Sequence, residues 1–97
     1  MHIAINKITL RLPENQNLKG KRRIINSLIS KLRHEFNVAV AEVEHQDLWQ
    51  LATLGIVSIS SDSQYLQQLQ AKLLTYIESL TGEFQLTNQQ QEIIHGF

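Results

Sequence analysis

The order in which the hydrophobic period changes along the chain is the feature that most constrains its fold. Apolar residues alternate in some segments, as in strands, and recur at three- and four-residue steps in others, as on one face of a helix. The predicted strands cover 2–12, 38–43, 49–60 and a last segment from 83, and the predicted helices run from Leu18 to about Asn37 and from Ser61 to Leu80. This βαββαβ order predicts an α+β, ferredoxin-like fold, in which a four-stranded antiparallel sheet has two helices on one face and its first and third strands in the centre.

Local signals mark the ends of these elements. Pro13 cannot donate to a strand ladder and ends the first strand, and Asn17 is the predicted N-cap of the first helix. Ser61 with Gln64 predicts a capping box for the second helix, and Gly82 is its predicted C-cap.

Three positions predict irregularities in the strands. The apolar phase slips at Asn6-Lys7, which indicates a bulge or a strand with both faces partly covered. Gly55, in mid-strand, indicates a bulge or close packing against a helix. A polar run separates Leu86 from Ile93-Ile94, so the last strand is either one long bulged strand or a strand with an edge extension.

Composition excludes several classes of protein. The chain has 97 residues, a length typical of one domain, 1–97. It has no cysteine, which excludes disulfides, thiolate catalysis and cysteine-ligated zinc. No apolar run approaches the ~20 residues that cross a bilayer, and no signal segment opens the sequence. We therefore expect a soluble, cytoplasmic protein without a membrane partner.

The charges are unevenly distributed, although they sum to zero. Eight of the nine Lys and Arg residues lie at or before Arg33, and eight of the nine Asp and Glu residues follow His34. Either the basic half forms a surface for nucleic acid or another anion, or the two halves neutralise each other within the fold. Of these two alternatives, we favour internal neutralisation.

A basic cluster opens the first helix, where unpaired N–H groups already create a partial positive charge. Such a site favours an anion, so we interpret it as a candidate contact for phosphate groups. The candidate anion- and RNA-binding residues are Lys19, Lys21, Arg22 and Arg23, broadened by Arg33 and Arg11. The central strands carry no aromatic residue, so RNA binding would be electrostatic, weakly sequence-specific and steeply dependent on salt.

The loop between the second and third strands holds the other polar cluster. Glu44, His45 and Asp47 could form a metal or acid–base site, but mixed ligands in one hairpin are a weak signal. We interpret His45 and Asp47 as structural, with Asp47 bonding loop amides, and Trp49 as a cover over the hairpin end in preference to a stacking side chain. The sequence has no nucleophile elbow and no phosphate-binding glycine loop, so we expect no catalytic residues, no metal and no cofactor.

Four segments of the sequence resemble a known family. They are Leu10-Arg11-Leu12-Pro13, Leu18-Lys19 with Lys21-Arg22, Phe36-Asn37-Val38 with Val40-Ala41-Glu42-Val43, and His45-Gln46-Asp47-Leu48-Trp49-Gln50. In this combination the chain, from Met1 to about Leu80, resembles the YlxP-like family of small bacterial proteins, a domain of unknown function. The resemblance implies a ferredoxin-like fold. Because genes of this family often lie among translation and ribosome-maturation genes, it also implies a role near RNA or the ribosome, but no activity.

Two positions depart from the pattern of that family. Asn17 stands where the family usually has serine, and Gly20 where an acidic residue usually follows the leucine-lysine pair. An acid there would complete a capping box and compensate the basic cluster. Gly20 does neither, and it costs about 1 kcal/mol of helix propensity relative to alanine. The cluster is therefore less neutralised locally, which favours an external anion.

These observations lead to three hypotheses about function. The first is a non-enzymatic binding module, an RNA- or ribosome-associated accessory protein that contacts phosphates through the start of the first helix. The second is a protein-interaction or homodimerisation module that uses the open face of the sheet. The third, to which we give least weight, is a small-anion sensor or an enzyme.

Overall fold

The computed structural model describes residues 1–80 and 82–97, and it confirms the predicted element order. The elements are β1 (His2–Arg11), α1 (Leu18–Glu35), β2 (Ala39–Glu44), β3 (Leu51–Ser60), α2 (Ser63–Ser79) and β4 (Gln85–His95). The strands form one antiparallel sheet in the order β2-β3-β1-β4, so β1 and β3 are central as predicted. The architecture is the ferredoxin-like α+β fold.

The core lies between the two helices and one face of the sheet. Alternate residues of the central strands, such as Ile8 in β1 and Leu54 in β3, are fully buried there. They pack with apolar residues spaced at helical intervals on α1 and α2, which are Ile24, Ile25, Leu28, Leu32, Leu73 and Ile77. The period-two and period-3.6 patterns of the sequence therefore meet in one cluster.

The change of apolar phase at Asn6-Lys7 arises because both faces of β1 are partly buried, and not because β1 contains a bulge. β1 pairs with β3 in unbroken register from His2 to Arg11. Asn6 occupies a core-facing position at 2% exposure, while Ile3 and Ile5 lie on the open face. Of the two alternatives, partial covering of both faces is correct. The bulge lies in β4, which is a single long strand whose register with β1 shifts opposite Thr9 and Leu10.

Both predicted boundaries of α2 need correction. Its N-cap is Asp62, not Ser61, because the Asp62 carboxylate accepts from the backbone N–H of Gln64 at 2.9 Å. Its C-cap is Leu80, not Gly82, because the Leu80 N–H donates to the Ile77 carbonyl and closes the last turn. The α1 cap is Asn17 as predicted, and α1 ends at Glu35, slightly before Asn37.

Gly55 packs against a neighbouring strand instead of a helix. It lies on the open face opposite Ala41 of β2, and a Cβ added there would lie 3.1 Å from the Val43 side chain. β2 bulges at this point, since its register with β3 shifts between Glu42 and Glu44. Gly55 therefore makes room for Val43 where the hairpin bends.

The open face of the sheet divides into an apolar end and a polar end. At one end Ile3 of β1 pairs with Ile59 of β3 and Ile94 of β4. Towards the other end β1 presents Lys7, Thr9 and Arg11.

In the described residues, neither helix is long and apolar enough to cross a membrane.

Candidate nucleic-acid interface

The start of α1 is a well-formed helix N-terminus. Asn17 has an extended backbone, and its Oδ1 accepts from the Gly20 N–H at 2.7 Å. The first turn contains no acidic residue, so the partial positive charge of the helix end is not offset within the helix. Lys19 and Arg22 extend from this turn into solvent.

Lys21 does not belong to the exposed cluster. Its side chain is 2% exposed, and its Nζ donates to the carbonyl oxygens of His45 and Leu48, both at 2.6 Å, and more weakly to that of Gln46 at 3.4 Å. The same Nζ lies 2.8 Å from Oε2 of Glu42. Because an ammonium has only three N–H donors, these acceptors leave none for a ligand. The prediction that Lys21 contacts an external anion is wrong: it ties α1 to the β2–β3 hairpin.

The Glu42 contact is an ion pair without an aligned hydrogen bond. Oε2 of Glu42 is buried and accepts no hydrogen bond of good geometry, although the Lys21 ammonium is within ion-pair distance. The hairpin carbonyls therefore satisfy the donors of Lys21, and Glu42 balances its charge. A buried ammonium without a nearby carboxylate would be costly.

Ion pairs join the basic half of the sequence to the acidic half, as internal neutralisation predicts. Besides Lys21 with Glu42, Lys7 pairs with Glu44 and Arg23 with Glu83, each at 2.7 Å. The hydrogen bond from Lys7 lowers the pKa of Glu44, and that from Arg23 lowers the pKa of Glu83 and raises the pKa of Arg23 itself. Arg23 is therefore engaged by a partner, although its side chain remains exposed.

Three exposed cations share one side of α1. At 100° per residue, Lys19, Arg22 and Arg33 fall within about 60° of one another around the helix axis. Lys19 and Arg22 make no ion pair or hydrogen bond through their side chains within the described ranges 1–80 and 82–97, and Arg33 donates one hydrogen bond, to the Val40 carbonyl at 3.1 Å. We call these three residues the basic stripe.

Arg11 lies apart from the basic stripe, at the polar end of the open sheet face. It opposes Leu51 of β3 and Gln85 of β4, and its side chain borders a cleft of about 450 Å³. The cleft is lined by Arg11, Asp47, Leu48, Trp49, Gln50 and Leu51. Sequence reasoning treated Arg11 and Trp49 separately. Antiparallel pairing of β1 with β3 was the signal that could have joined them, because it places the end of β1 beside the start of β3.

The two polar residues of the β2–β3 loop that we predicted to be structural, His45 and Asp47, differ in their hydrogen bonds. His45 takes a left-handed backbone at φ 65°, its carbonyl accepts from Leu48 N–H, and its Nδ1 lies 2.8 Å from Thr53 Oγ1. These are contacts of a structural residue. The Asp47 carboxylate makes no hydrogen bond to any described residue, so the loop is held by Lys21 and not by the Asp47 contacts that we predicted.

Trp49 does not form the predicted cover over the hairpin end. Its side chain is 52% exposed, and the neighbouring Leu48 is 50% exposed.

Within the described ranges, no group of three or more His, Asp or Glu residues is placed to hold a metal ion.

Comparison with known proteins gives one family and one relative. Residues 3–91 match the model of a family described as a protein of unknown function, DUF503. The chain is also 31% identical over 62 residues to the uncharacterized protein YlxP of Bacillus subtilis (strain 168). That alignment covers 64% of this chain and 67% of the relative.

Proposed function

The chain belongs to the DUF503 family, whose function is unknown, and from that premise we propose that it is a non-enzymatic module that binds RNA phosphates through the basic stripe. The resemblance to the family suggests ribosomal RNA as the first candidate. The proposal differs from the sequence-based one in its residues. Lys21 is no longer among the proposed RNA-binding residues because it is buried. Arg23 is given a lesser part in RNA binding because Glu83 already pairs with it.

The observation that carries the proposal is the exposure of Lys19 and Arg22 beside an uncompensated helix N-terminus. Internal ion pairs neutralise Lys7, Lys21 and Arg23, yet they leave these two cations unpaired among the described side chains. From Lys19 to Arg33 the basic stripe spans about 21 Å along the helix axis. This length and charge suit contacts to successive phosphates of a nucleic-acid backbone.

The mode of binding follows from the chemistry of the stripe. Lys and Arg contacts to phosphates position a protein on RNA but carry no sequence information. Binding should therefore discriminate poorly between sequences and weaken as salt rises, because each contact releases a counterion. Arg33 can take part, since a guanidinium that donates one bond to a carbonyl keeps further N–H donors.

A matched pair of double variants tests the proposal. One replaces Lys19 and Arg22 by glutamine, and the other replaces Lys31 and Lys72, which are also exposed but lie off the stripe. Both remove two positive charges. With an RNA hairpin at 0.15 M salt, we expect the first variant to lose on the order of tenfold in affinity and the second to change little. Equal losses in the two variants would mean that net charge alone matters and would contradict the proposal.

A second candidate function is homodimerisation through the apolar end of the open sheet face. Ile59, Val57 and Ile94 are 60%, 37% and 39% exposed there, and Ile3 lies between Ile59 and Ile94 in the strand order. Contiguous exposed apolar residues of this kind are typical of interaction sites.

Sedimentation across a range of protein concentrations tests this candidate. A dimer that dissociates in the Ile59→Ser variant but persists in the control Tyr65→Ser, which removes an exposed aromatic from α2, would support it. A wild-type protein that stays monomeric at the highest concentration would rule it out.

A further inference from the structure

Trp49 is the sole tryptophan of the chain and is half exposed, which calls for an explanation. A tryptophan side chain carries a large apolar surface that is usually buried for most of its area. Here the ring borders the cleft with Leu48, Leu51 and Arg11. A large aromatic surface left beside a cation is available to a ligand.

The backbone that carries Trp49 is firmly held. The Trp49 carbonyl accepts from Asn15 Nδ2 at 2.6 Å, and the preceding carbonyl, of Leu48, accepts from Lys21 Nζ at 2.6 Å. The following carbonyl, of Gln50, accepts from the Leu12 N–H at 2.9 Å. Three consecutive carbonyls are thus fixed by three different parts of the chain. The exposed ring stands on an ordered segment, so binding a ligand there would cost little loop ordering.

The chemistry of the cleft selects the ligand. Trp49 and Leu51 line the cleft and offer an apolar surface for a planar group, and Arg11 offers an exposed cation that has no ion pair among the described side chains. A planar aromatic group joined to an anion fits both. The Asp47 carboxylate at the cleft edge opposes the anion but can accept from an amino group of a base. The cleft volume, about 450 Å³, is within the ordinary range of small-ligand sites.

From this juxtaposition we propose that the Trp49 cleft binds one unpaired nucleotide, whose base stacks on Trp49 and whose phosphate contacts Arg11. The inference rests on the proposed RNA binding and adds to it a preference for single-stranded segments beside the phosphate contacts of the basic stripe. Stacking on an aromatic side chain tolerates any base, so the weak sequence preference expected of the stripe is retained.

The fluorescence of Trp49 reports on the cleft directly because the chain has no other tryptophan. Two RNA hairpins with the same stem, each closed by a non-nucleotide linker in place of a loop, serve as probes, one blunt and one with a five-nucleotide uridine tail. We expect the tailed hairpin to quench Trp49 and the blunt hairpin to bind without quenching. By anisotropy of labelled RNA, Trp49→Ala should weaken binding of the tailed hairpin by about tenfold and leave the blunt hairpin unchanged. Arg11→Gln should weaken the tailed hairpin as well, and Trp49→Phe should retain part of the stacking.

The outcomes separate the two proposals. Saturating binding of the tailed hairpin without quenching, or with full affinity in Trp49→Ala, would overturn the nucleotide site and leave the basic stripe standing. Failure of both hairpins to bind would overturn the RNA-binding function itself. Quenching that follows protein concentration in the absence of RNA would assign the cleft to a second copy of the chain and would also overturn the nucleotide site. Equal thermal midpoints of the variants and the wild type serve as the control for folding.

Discussion

At the scale of single residues, the most informative side chain is Lys21. Its neighbours in sequence are exposed cations, but its own ammonium lies beneath the β2–β3 hairpin and bonds carbonyls 24 to 27 residues away. These carbonyls share one buried ammonium as a donor, so removing it would take a hydrogen bond from each of them at once. Lys21 resembles a ligand-binding cation in the sequence, but its role is structural: it holds α1 against the β2–β3 hairpin.

Removing the Lys21 side chain should therefore be strongly destabilising. We expect Lys21→Ala to lower the free energy of unfolding by about 3–5 kcal/mol, because it leaves a partly buried carboxylate and several carbonyls without their partner. Urea denaturation measures the loss. The control Lys31→Ala, at an exposed position of the same helix, should change stability by no more than about 0.5 kcal/mol. Equal losses of unfolding free energy in the two variants would show that Lys21 does not hold α1 against the hairpin.

The pair of Arg23 and Glu83 gives a prediction about protonation. Arg23 lowers the pKa of Glu83 in the folded protein, so the pair stabilises the fold above the ordinary carboxyl pKa of about 4.3 and loses this effect as pH falls through the lowered value. In Arg23→Gln, the pKa of Glu83 should rise towards its ordinary value, while that of Glu44, lowered by Lys7, should stay low. Carboxyl NMR titration measures both. An unchanged pKa of Glu83 would contradict the pairing.

At the scale of elements, the start of α1 shows why its glycine is present. A Cβ at Gly20 would overlap Oδ1 of Asn15, whose amide nitrogen donates to the carbonyls of Asn17 and Trp49. The low helix propensity of glycine is therefore accepted where the loop before α1 packs against the helix. This contact also connects the helix start to the segment that carries Trp49.

Gly20→Ala should consequently fail to stabilise the protein. Helix propensity alone would add about 1 kcal/mol, but the displaced Asn15 should cancel that gain. In an Asn15→Ala background the obstruction is absent, and the same substitution should then be stabilising. Denaturation of the four proteins in this double-mutant cycle measures the difference. A full gain from Gly20→Ala alone would show that Asn15 does not constrain the position.

The elements also show what sequence can and cannot predict. The element order, the central position of β1 and β3 and the Asn17 cap depend on local periodicity and local side-chain chemistry, and the structure confirms them. The wrong predictions concern other features. The caps of α2 were wrong because several nearby residues can cap a helix. The predicted anion contact of Lys21 and the predicted covering role of Trp49 were wrong because the surroundings of both residues come from segments distant in sequence.

At the scale of the whole molecule, the uneven charge distribution has two outcomes. Three of the eight cations up to Arg33 bind the fold together, since Lys7, Lys21 and Arg23 each pair with an acid from the second half of the sequence. The other five are exposed: the three residues of the basic stripe and Lys31 on α1, and Arg11 at the end of the sheet. A protein of zero net charge can thus present a basic surface, and it is this surface that we propose for RNA.

The measurement that tests this account most directly is the salt dependence of RNA affinity. For wild-type protein and the Lys19→Gln, Arg22→Gln variant, the logarithm of the association constant is plotted against the logarithm of salt concentration. Each phosphate contact contributes about 0.7 to 0.9 to the slope, so we predict that the variant binds more weakly and with a slope shallower by about 1.4 to 1.8. Identical slopes for the two proteins, or no RNA binding by the wild type at low salt, would contradict it.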